Sequence, residues 1–339
     1  RRVRTRAAGF WLTSRGHGGS VPAMSSTLVT GASGFLGAHV VAAAVARART
    51  EATRAEPYGP PVHAVSRSPA LLAPRFSEPR DAALWVERDL SGDGARALLD
   101  ERSPTEVVHC AALARAGDCE RDPGLAHAVN VELSQAVAEW CEAHGSRLVH
   151  VSTDQVFGVQ DAPDGGFDED AEPGPLSVYG ESKLASERAV RAACPDAAVV
   201  RLPLLYGNSG GRGLGASDAI LEAVERDERP RLFTDEWRTP LEVGVAAAAL
   251  VELLDFEGGG VLHVAGPERV SRYGFGLSVL AAMGLEREEA EAAVRATTQA
   301  AVDAGAPRAR DVSLSARRAQ GLLETELVRV VDGLARAIG

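Results

Sequence analysis

Residues 25–44 read SSTLVTGASGFLGAHVVAAA, and this stretch decides the fold. Three glycines, Gly31, Gly34 and Gly37, fall three residues apart between an apolar run and an alanine-rich run. That order predicts a strand, a tight turn and a helix. A helix start offers free N–H groups and a positive dipole end to a phosphate. The spacing therefore favours a dinucleotide pyrophosphate site, with a purely structural turn as the alternative.

The strand–turn–helix pattern continues along the chain. Val- and Leu-rich runs with little polar alternation are typical of parallel strands covered on both faces. The predicted strands are TLVTG (27–31), PVHAVSRS (61–68), ALWVERDL (83–90), TEVVHCAA (105–112), RLVHVSTD (147–154) and AAVVRLPLLYG (197–207). We therefore predict an α/β fold, a doubly wound, Rossmann-like parallel sheet over residues 24–205. A smaller C-terminal substrate lobe follows over 206–339, with 241–265 returning to the sheet domain.

Composition excludes several classes of function. The chain has 339 residues and a formal net charge of −11, which argues against a nucleic-acid groove or an anionic membrane surface. No apolar run reaches the roughly 18–20 residues of a membrane span. The four cysteines form no C-x-x-C pair and the histidines show no metal-ligand spacing, so we expect reduced thiols, no metal and a cytoplasmic protein. His109 and His150 are expected to be packed core histidines.

The first 23 residues are unlike the rest. They carry five arginines and no acidic residue, and Met24 comes shortly before the first predicted strand. We interpret residues 1–23 as a disordered leader or a misplaced start, with an organelle transit peptide as the alternative, and expect them to lie outside the fold.

The end of the second strand bears on the choice of cofactor. An acidic residue there would hydrogen-bond the adenosine ribose of NAD, whereas an arginine would suit the 2′-phosphate of NADP. The strand ends Ser66-Arg67-Ser68, so Arg67 predicts NADP(H), with NAD(H) kept open.

A second constellation carries acid–base chemistry. Tyr179 and Lys183 are four residues apart, so on a helix they share one face. A nearby ammonium stabilises a phenolate, and we expect Lys183 to bring the pKa of Tyr179 down towards neutral pH. Thr153 ends the fifth strand, where the ligand crevice of such a sheet lies, with a strand-end turn as the plain alternative. A competing G-x-S-x-G pattern around Ser209 leads into glycines instead of a helix, which disfavours a serine hydrolase.

These pieces together resemble the extended short-chain dehydrogenases/reductases. The text around them, including PTEVVHCAALARAGDCERDP, RLVHVSTDQVF, PLSVYGESKLASE and APRARDVSLSARRAQGLL, is similar to the dTDP-4-dehydrorhamnose reductases and their sugar-nucleotide-binding relatives. The likeness covers nearly everything from Thr27 onward. It implies an NADPH-dependent oxidoreductase of dTDP-rhamnose biosynthesis that reduces a 4-keto sugar nucleotide. The sequence leaves the oligomeric state open, with a homodimer as one alternative.

The resemblance also implies roles for single residues. Thr153 would polarise the keto oxygen, Tyr179 would donate a proton to it, and Lys183 would assist the tyrosine and hold the nicotinamide ribose. The implied cofactor contacts are Gly31, Ser33, Gly34, Phe35, Leu36, Gly37, Asp89, Leu90, Ala111, Ala112, Asn130, Tyr179 and Lys183, to which the end of the second strand adds Arg67. The implied substrate contacts are Thr153, Asp154, Gln155 and Arg238.

Departures from the family pattern keep other functions open. Gln155 stands where the family more often has an aromatic residue, which places the substrate in question. Related dehydratases carry a glutamate beside the aspartate, and Gln155 cannot act as that base. A sugar-nucleotide epimerase or another oxidoreductase on the same scaffold stays an alternative. So does a non-catalytic NADP-binding regulatory subunit, such as the one that binds methionine adenosyltransferase.

Overall fold

The computed structural model describes residues 11–14, 25–52, 59–68, 82–302 and 308–338. The strands in these ranges are β1 (Trp11–Ser14), β2 (Thr27–Thr30), β3 (Val62–Ser66), β4 (Leu84–Glu87), β5 (Glu106–His109), β6 (Arg147–Thr153), β7 (Ala198–Leu202), β8 (Leu205–Tyr206), β9 (Arg231–Phe233), β10 (Trp237–Arg238), β11 (Leu241–Glu242), β12 (Phe256–His263), β13 (Val270–Ser271) and β14 (Arg295–Thr297). Eight of them form the main sheet, in the order β1-β12-β7-β6-β5-β2-β3-β4. All its neighbours pair in parallel except β1 and β12.

Helices cover both faces of this sheet. They are α1 (Phe35–Thr50), α2 (Gly94–Arg102), α3 (Ala116–Arg121), α4 (Pro123–His127), α5 (Leu133–His144), α6 (Val178–Ala193), α7 (Asp218–Glu225), α8 (Val243–Glu252), α9 (Arg272–Ala282), α10 (Arg287–Ala293), α11 (Arg317–Leu322) and α12 (Val330–Ile338). Helices α1 and α8 pack on one face, and α2, α5 and α6 pack on the other. The predicted doubly wound α/β fold is confirmed.

The pleat explains why the strands read as continuous apolar runs. Successive side chains of a strand point to opposite faces. Leu28 accordingly enters the core under α2, α5 and α6, while Val29 enters the core under α1 and α8. Val107 and Val108 divide in the same way. Both cores exclude water, so neither face of the strand tolerates a polar residue without a partner.

A second, smaller core lies in the C-terminal half. It is built by Tyr206, Ile220, Leu232, Phe275, Val279, Leu280, Ala290, Val294, Val330 and Leu334. Three two-stranded sheets flank it, pairing β8 with β11, β9 with β14 and β10 with β13. Helix α8 and strand β12, between residues 243 and 263, lie instead in the layers of the main sheet. The division into domains at 205 and 206 stays a prediction.

The N-terminal segment departs from its expected exclusion. Trp11–Ser14 forms β1 and pairs antiparallel with residues 256–259 of β12, while the rest of residues 1–23 lies outside the described residues. An uncovered β12 would present a row of unpaired backbone N–H and C=O groups. The expectation that the whole segment stands apart from the fold therefore does not hold for these four residues.

Candidate active site

The glycine turn joins β2 to α1, and two of its positions need glycine. Gly31 has φ +64, in the left-handed region, and a Cβ there would lie 2.8 Å from the backbone nitrogen of Ala111. A Cβ on Gly37 would overlap the carbonyl oxygen of Gly31. The turn is therefore packed backbone against backbone, as the spacing predicted.

The start of α1 fits an anionic phosphate. Gly34 precedes the helix, no side chain caps its N–H groups, and its first turn holds no acidic residue. The unmade N–H bonds and the positive dipole end therefore face outward without competition from a carboxylate. Arg212, in the glycine-rich loop 207–216, donates from Nη1 to the carbonyl oxygen of Ser33 at 2.5 Å and adds a positive charge to this turn. The residues present fit a dinucleotide pyrophosphate, and Phe35 and Leu36 supply N–H groups of that first turn.

The expected adenosine side lies at the ends of β3 and β4. Ser66 closes β3 and donates from its hydroxyl to Ser33 Oγ at 2.6 Å, which ties this strand end to the glycine turn. Arg67 follows and is exposed, so its guanidinium is accessible to a 2′-phosphate. Asp89 is exposed and Leu90 buried at the end of the neighbouring strand. The structure thus brings these predicted residues to one edge of the sheet.

The side chain of Thr30 holds the loop after β5 by hydrogen bonds. Its Oγ1 accepts hydrogen bonds from the backbone N–H groups of Cys110 and Ala111, both at 3.1 Å. It also bonds His109 Nδ1 at 2.8 Å. Ala111 and Ala112 are half-buried in this loop, beside the glycine turn. Small side chains there leave room for a cofactor.

Asn130 is held by hydrogen bonds within the chain. It is fully buried, its Oδ1 accepts from Leu113 N–H at 2.8 Å, and its Nδ2 donates to Ser182 Oγ at 2.9 Å. These bonds tie the loop after β5 to α6, and the predicted place of Asn130 beside a cofactor stays a prediction. It lies in a π-helical turn, residues 128–132, a geometry that recurs at functional sites.

Histidines 109 and 150 are packed core residues, as predicted. Their rings stack 5.5 Å apart under the site. His109 Nε2 bonds Ser134 Oγ and His150 Nε2 bonds Ser186 Oγ. Burial lowers the pKa of His109 to about 3 and that of His150 well below its usual value, so both rings are neutral.

Tyr179, Lys183 and Thr153 converge at the end of β6. Ser177 caps α6 by accepting from the Gly180 N–H at 3.1 Å, which fixes where the helix begins. Tyr179 bonds Thr153 through its hydroxyl, and Lys183 Nζ donates to the carbonyl oxygen of Val151 at 2.7 Å. One helix face thus lies along one strand end, with a phenol, an ammonium and an alcohol side by side.

Gly180 permits this approach of α6 to β6. A Cβ at this position would overlap the carbonyl oxygen of Gln155 and lie 2.9 Å from Pro175 Cβ. Gln155 itself lies in the short helical turn after Thr153, and its N–H donates to Thr153 Oγ1 at 3.3 Å. Sequence reasoning missed this role of Gly180, because a helical glycine carries no signal of what passes beside it.

The pKa of Tyr179 differs from the sequence expectation. Burial raises the pKa of this phenol to about 12, and the bond with Thr153 offsets only part of that rise. Burial also lowers the pKa of Lys183 to about 8. The expected lowering does not occur in this structure: burial is the largest influence on this phenol, the charges of Asp154 and Cys119 raise its pKa further, and Thr153 is the group that lowers it. A phenol that stays protonated is suited to donate a proton.

Asp154 and Arg238 adjoin this group. Asp154 is buried, and its Oδ1 accepts from Thr153 Oγ1 at 3.2 Å. Burial raises its pKa to about 6, against the lowering effect of Arg238, whose Nε lies 4.0 Å from Oδ2. The Arg238 guanidinium also donates to the carbonyl oxygens of Trp237, at 2.6 Å, and Ala309, at 3.2 Å. Several of its donors are thus directed to backbone carbonyls, and its predicted contact with the substrate stays a prediction.

A buried ion pair supports the site from behind and was not predicted. Glu187, one turn after Lys183, binds Arg201 bidentately at 2.8 and 2.9 Å and accepts from Ser152 Oγ at 2.5 Å. Removal of one partner would strand the other charge in the core, at a cost of about 3–5 kcal/mol. The only sequence signal was a glutamate on the inner face of an amphipathic helix.

The other candidate residues show no geometry of a functional site. Ser209 is buried and accepts from the Arg212 N–H, in a loop with no helix after it, so it forms no nucleophile elbow. The four cysteines are free thiols. Within the described ranges, no cluster of three or more histidine, cysteine or acidic residues could hold a metal ion. None of the helices described is long and apolar enough to cross a membrane.

Comparisons with known proteins agree with this geometry. The probable low-salt glycan biosynthesis reductase Agl14 of Haloferax volcanii is 33% identical over 240 residues, which cover 70% of this chain and 78% of that protein. A dTDP-4-dehydrorhamnose reductase of Mycobacterium tuberculosis is 35% identical over 218 residues, 62% of this chain and 69% of its own length. Methionine adenosyltransferase 2 subunit beta of Danio rerio is 30% identical over 235 residues, 68% of this chain and 70% of that subunit.

A solved structure and a family model complete the comparison. The crystal structure of a dTDP-4-dehydrorhamnose reductase from Bacillus anthracis, in complex with NADP, matches with a TM-score of 0.73. It is 22% identical and covers 93% of this chain and 99% of that one, which supports the fold. The family model described as the RmlD substrate binding domain matches residues 24–338. The resemblance drawn from the motifs is confirmed, and this chain belongs to the RmlD substrate-binding-domain family.

Proposed function

We propose that this protein is an NADPH-dependent reductase of a 4-keto sugar nucleotide of the dTDP-4-dehydrorhamnose type. One observation carries the proposal: Tyr179, buried and bonded to Thr153, lies one helical turn from Lys183 at the end of β6. That arrangement adjoins a glycine turn that fits a dinucleotide. The names of two reductase relatives support the same reaction class.

In this reduction, each of the side chains at the end of β6 would have a separate role. Tyr179 would give its proton to the keto oxygen as negative charge develops there, and the Thr153 hydroxyl would hold that oxygen by a second hydrogen bond. Lys183 would hold the nicotinamide ribose hydroxyls from the same helix face. The bound nicotinamide supplies the hydride. The glycine turn and Arg212 would anchor the dinucleotide at the other end of the crevice.

NADP(H) is the preferred cofactor in this proposal, with NAD(H) as a weaker alternative. Arg67 is exposed at the end of β3, where a 2′-phosphate would lie. The B. anthracis structure of the same fold was solved with NADP. Asp89 on the neighbouring strand end moderates the positive charge, so some use of NAD(H) is expected.

The first test is turnover. NADPH and NADH oxidation is followed at the nicotinamide absorbance with dTDP-4-dehydrorhamnose as substrate. We expect oxidation that depends on the sugar nucleotide and is faster with NADPH. Binding of NADPH without oxidation would contradict the reductase proposal and favour the regulatory alternative.

We predict that kcat/KM for NADPH falls as the pH rises through about 8. The pKa of Lys183 is lowered to about 8 by burial, so its ammonium is present below that pH and lost above it. Of its ionisable neighbours, Cys110 titrates near 12, as does Tyr179, and His109 near 3. The measurement is kcat/KM for NADPH between pH 6 and 10, which reports on the free enzyme.

The control for this profile is Lys183→Arg, which keeps a positive charge at every pH tested. We expect a lower rate in this variant and no decline near pH 8. The same decline in the variant would show that another group causes it.

Two alternatives to the reductase stay open. The relative named as methionine adenosyltransferase 2 subunit beta favours a regulatory protein that binds NADP without turnover. The retained Tyr179, Lys183 and Thr153 favour catalysis instead. An epimerase on this scaffold would oxidise and re-reduce the sugar with the same bound cofactor, so it would interconvert sugar nucleotides without net NADPH consumption. The homodimer, the cytoplasmic location and the absence of nucleic-acid partners stay predictions.

A further inference from the structure

A small cavity lies behind strand β10, on the other side from the acid–base residues. Its volume is about 160 Å³, and its walls come from the loop at Gly165 and Gly166, from the turn after β12, and from the start of α11 with the residues before it. Adjacent side chains of an extended segment point in opposite directions. Arg238 extends towards Asp154, and Thr239, the next residue, faces the cavity. The cavity is therefore separate from the crevice of the proposed reductase.

The loop at Gly166 packs directly on the segment before α11. A Cβ at this position would lie 2.7 Å from the carbonyl carbon of Leu314 and 2.8 Å from the nitrogen of Ser315. The Ser315 N–H donates to the carbonyl oxygen of Phe167 at 2.7 Å, which holds the loop in this approach. Two walls of the cavity are thus fixed by backbone contacts, as is usual for ligand pockets, which are largely pre-formed.

Two buried hydroxyl groups in this cavity each accept a hydrogen bond and still have a proton to donate. Thr239 Oγ1 accepts from the Leu314 N–H at 3.1 Å, and Ser315 Oγ accepts from Arg317 Nε at 3.2 Å. Thr239 and Ser315 are both only 5% exposed. Within the ranges that the structure describes, neither hydroxyl donates to an acceptor. Buried donors are rarely left unsatisfied, so this pair indicates a ligand that accepts hydrogen bonds.

The charge of the cavity is positive. Arg269 donates from Nε and Nη2 to Asp311 Oδ2, both at 2.7 Å, and its guanidinium lies 3.9 Å from the ring centre of Trp237. The other oxygen of Asp311 accepts from the N–H and the hydroxyl of Ser313, so this carboxylate is fully used and balances Arg269. Arg317 is exposed and forms no ion pair with any residue that the structure describes, which leaves one positive charge unbalanced.

We propose that this cavity binds a phosphate-type oxyanion, either free inorganic phosphate or the phosphoryl group of a small phosphate ester. A phosphate presents several oxygen acceptors at once, so it can accept from the Thr239 and Ser315 hydroxyls and from the Arg317 guanidinium. The site is independent of the reductase activity proposed above, because it shares no residue with the acid–base group or the glycine turn.

Other ligand classes fit this cavity less well. A divalent cation prefers carboxylate oxygens, whereas two guanidinium groups line the cavity and none of its lining residues within the described ranges is acidic. A drug-sized ligand such as a whole nucleotide takes a pocket of about 300–1,000 Å³, which is more than this cavity offers. Size and charge together therefore favour a small oxyanion.

The test is isothermal titration calorimetry of the NADP⁺-loaded protein with inorganic phosphate, at a constant ionic strength set with potassium chloride. NADP⁺ occupies the glycine turn, so phosphate cannot bind there. We expect one saturable site with millimolar affinity. Arg317→Met should weaken it by at least about 10-fold and Ser315→Ala by about 3–10-fold, because each removes a hydrogen-bond donor. Arg287→Met, an exposed arginine paired with Glu291 on the surface, is the matched control and should bind phosphate as wild type does.

Titration with glucose 1-phosphate distinguishes the two sources of the oxyanion. Tighter binding than that of inorganic phosphate would identify a phosphate ester as the ligand and weaker binding the free ion, and in both cases Arg317→Met must weaken it. Circular dichroism shows that each variant is folded. A wild type without a saturable phosphate site would overturn the proposal, as would a site that both Arg317→Met and Ser315→Ala leave unchanged. Binding that disappears when NADP⁺ is added would also overturn it, because that phosphate would lie at the glycine turn.

Discussion

Replacement of Tyr179 by phenylalanine is expected to lower kcat for keto-sugar reduction by about 10²–10⁴-fold, the usual contribution of a positioned general acid. The phenol is buried, bonded to Thr153 and protonated up to a pKa of about 12, so it is the available proton source at the end of β6. Phenylalanine keeps the ring and its packing. NADPH affinity should therefore change by less than about 10-fold, which fluorescence titration of bound NADPH measures.

The matched control is Tyr206→Phe. The Tyr206 hydroxyl is also buried, but it donates to the carbonyl oxygen of Val330 in the second core. Its loss should cost about 0.5–1.5 kcal/mol of unfolding free energy and leave kcat within about twofold. Turnover of Tyr179→Phe within tenfold of wild type would refute the assignment of the proton donor.

Gly37→Ala should weaken NADPH binding by at least about 100-fold. The new Cβ would overlap the carbonyl oxygen of Gly31 and lie 3.0 Å from Ala32 Cα, and both are backbone atoms that no rotamer change can move. Helix α1 must shift away from the turn, which misaligns its free N–H groups with the pyrophosphate. Overpacking of this kind also costs about 1–3 kcal/mol, so a lower midpoint of thermal unfolding is expected.

The control for this change is Gly321→Ala in α11. Apart from its chain neighbours and the backbone of its own helix, no atom of the residues that the structure describes lies within 4 Å of the Cβ that it would add. Alanine favours a helix over glycine by about 1 kcal/mol, so this variant should be at least as stable as wild type and bind NADPH equally well. A Gly37→Ala protein with wild-type NADPH affinity would remove the glycine turn from the cofactor site.

The acid–base residues show which properties of a site can be predicted from a local sequence pattern. Tyr179 and Lys183 are four residues apart on one helix, so their shared face follows from helical geometry alone. The direction of the tyrosine pKa does not, because it depends on how much water the folded chain removes around the phenol. From the sequence alone, only the charge of the neighbouring Lys183 could be considered. In the structure desolvation is the larger effect, and it raises the pKa.

Asn130 and Arg238 also show that tertiary contacts add what a local sequence pattern does not contain. Both were predicted as ligand contacts from their positions in the family pattern. In the structure, the side-chain amide of Asn130 forms hydrogen bonds with Leu113 and Ser182. The Arg238 guanidinium donates to backbone carbonyls that include the distant one of Ala309. Hydrogen-bond partners distant in sequence decide whether a polar side chain faces a ligand or holds a loop.

What the sequence determined by itself was local: the strand–turn–helix around Gly31, the apolar strands buried on both faces, and the spacing of the catalytic pair. Backbone sterics and side-chain periodicity act over a few residues, so a short window contains them. Tertiary structure alone brought Arg212 to the glycine turn and added β1 to the sheet edge. These arrangements join segments about 180 to 250 residues apart, and only the packing of the whole chain sets the distances and the loss of solvent on which they depend.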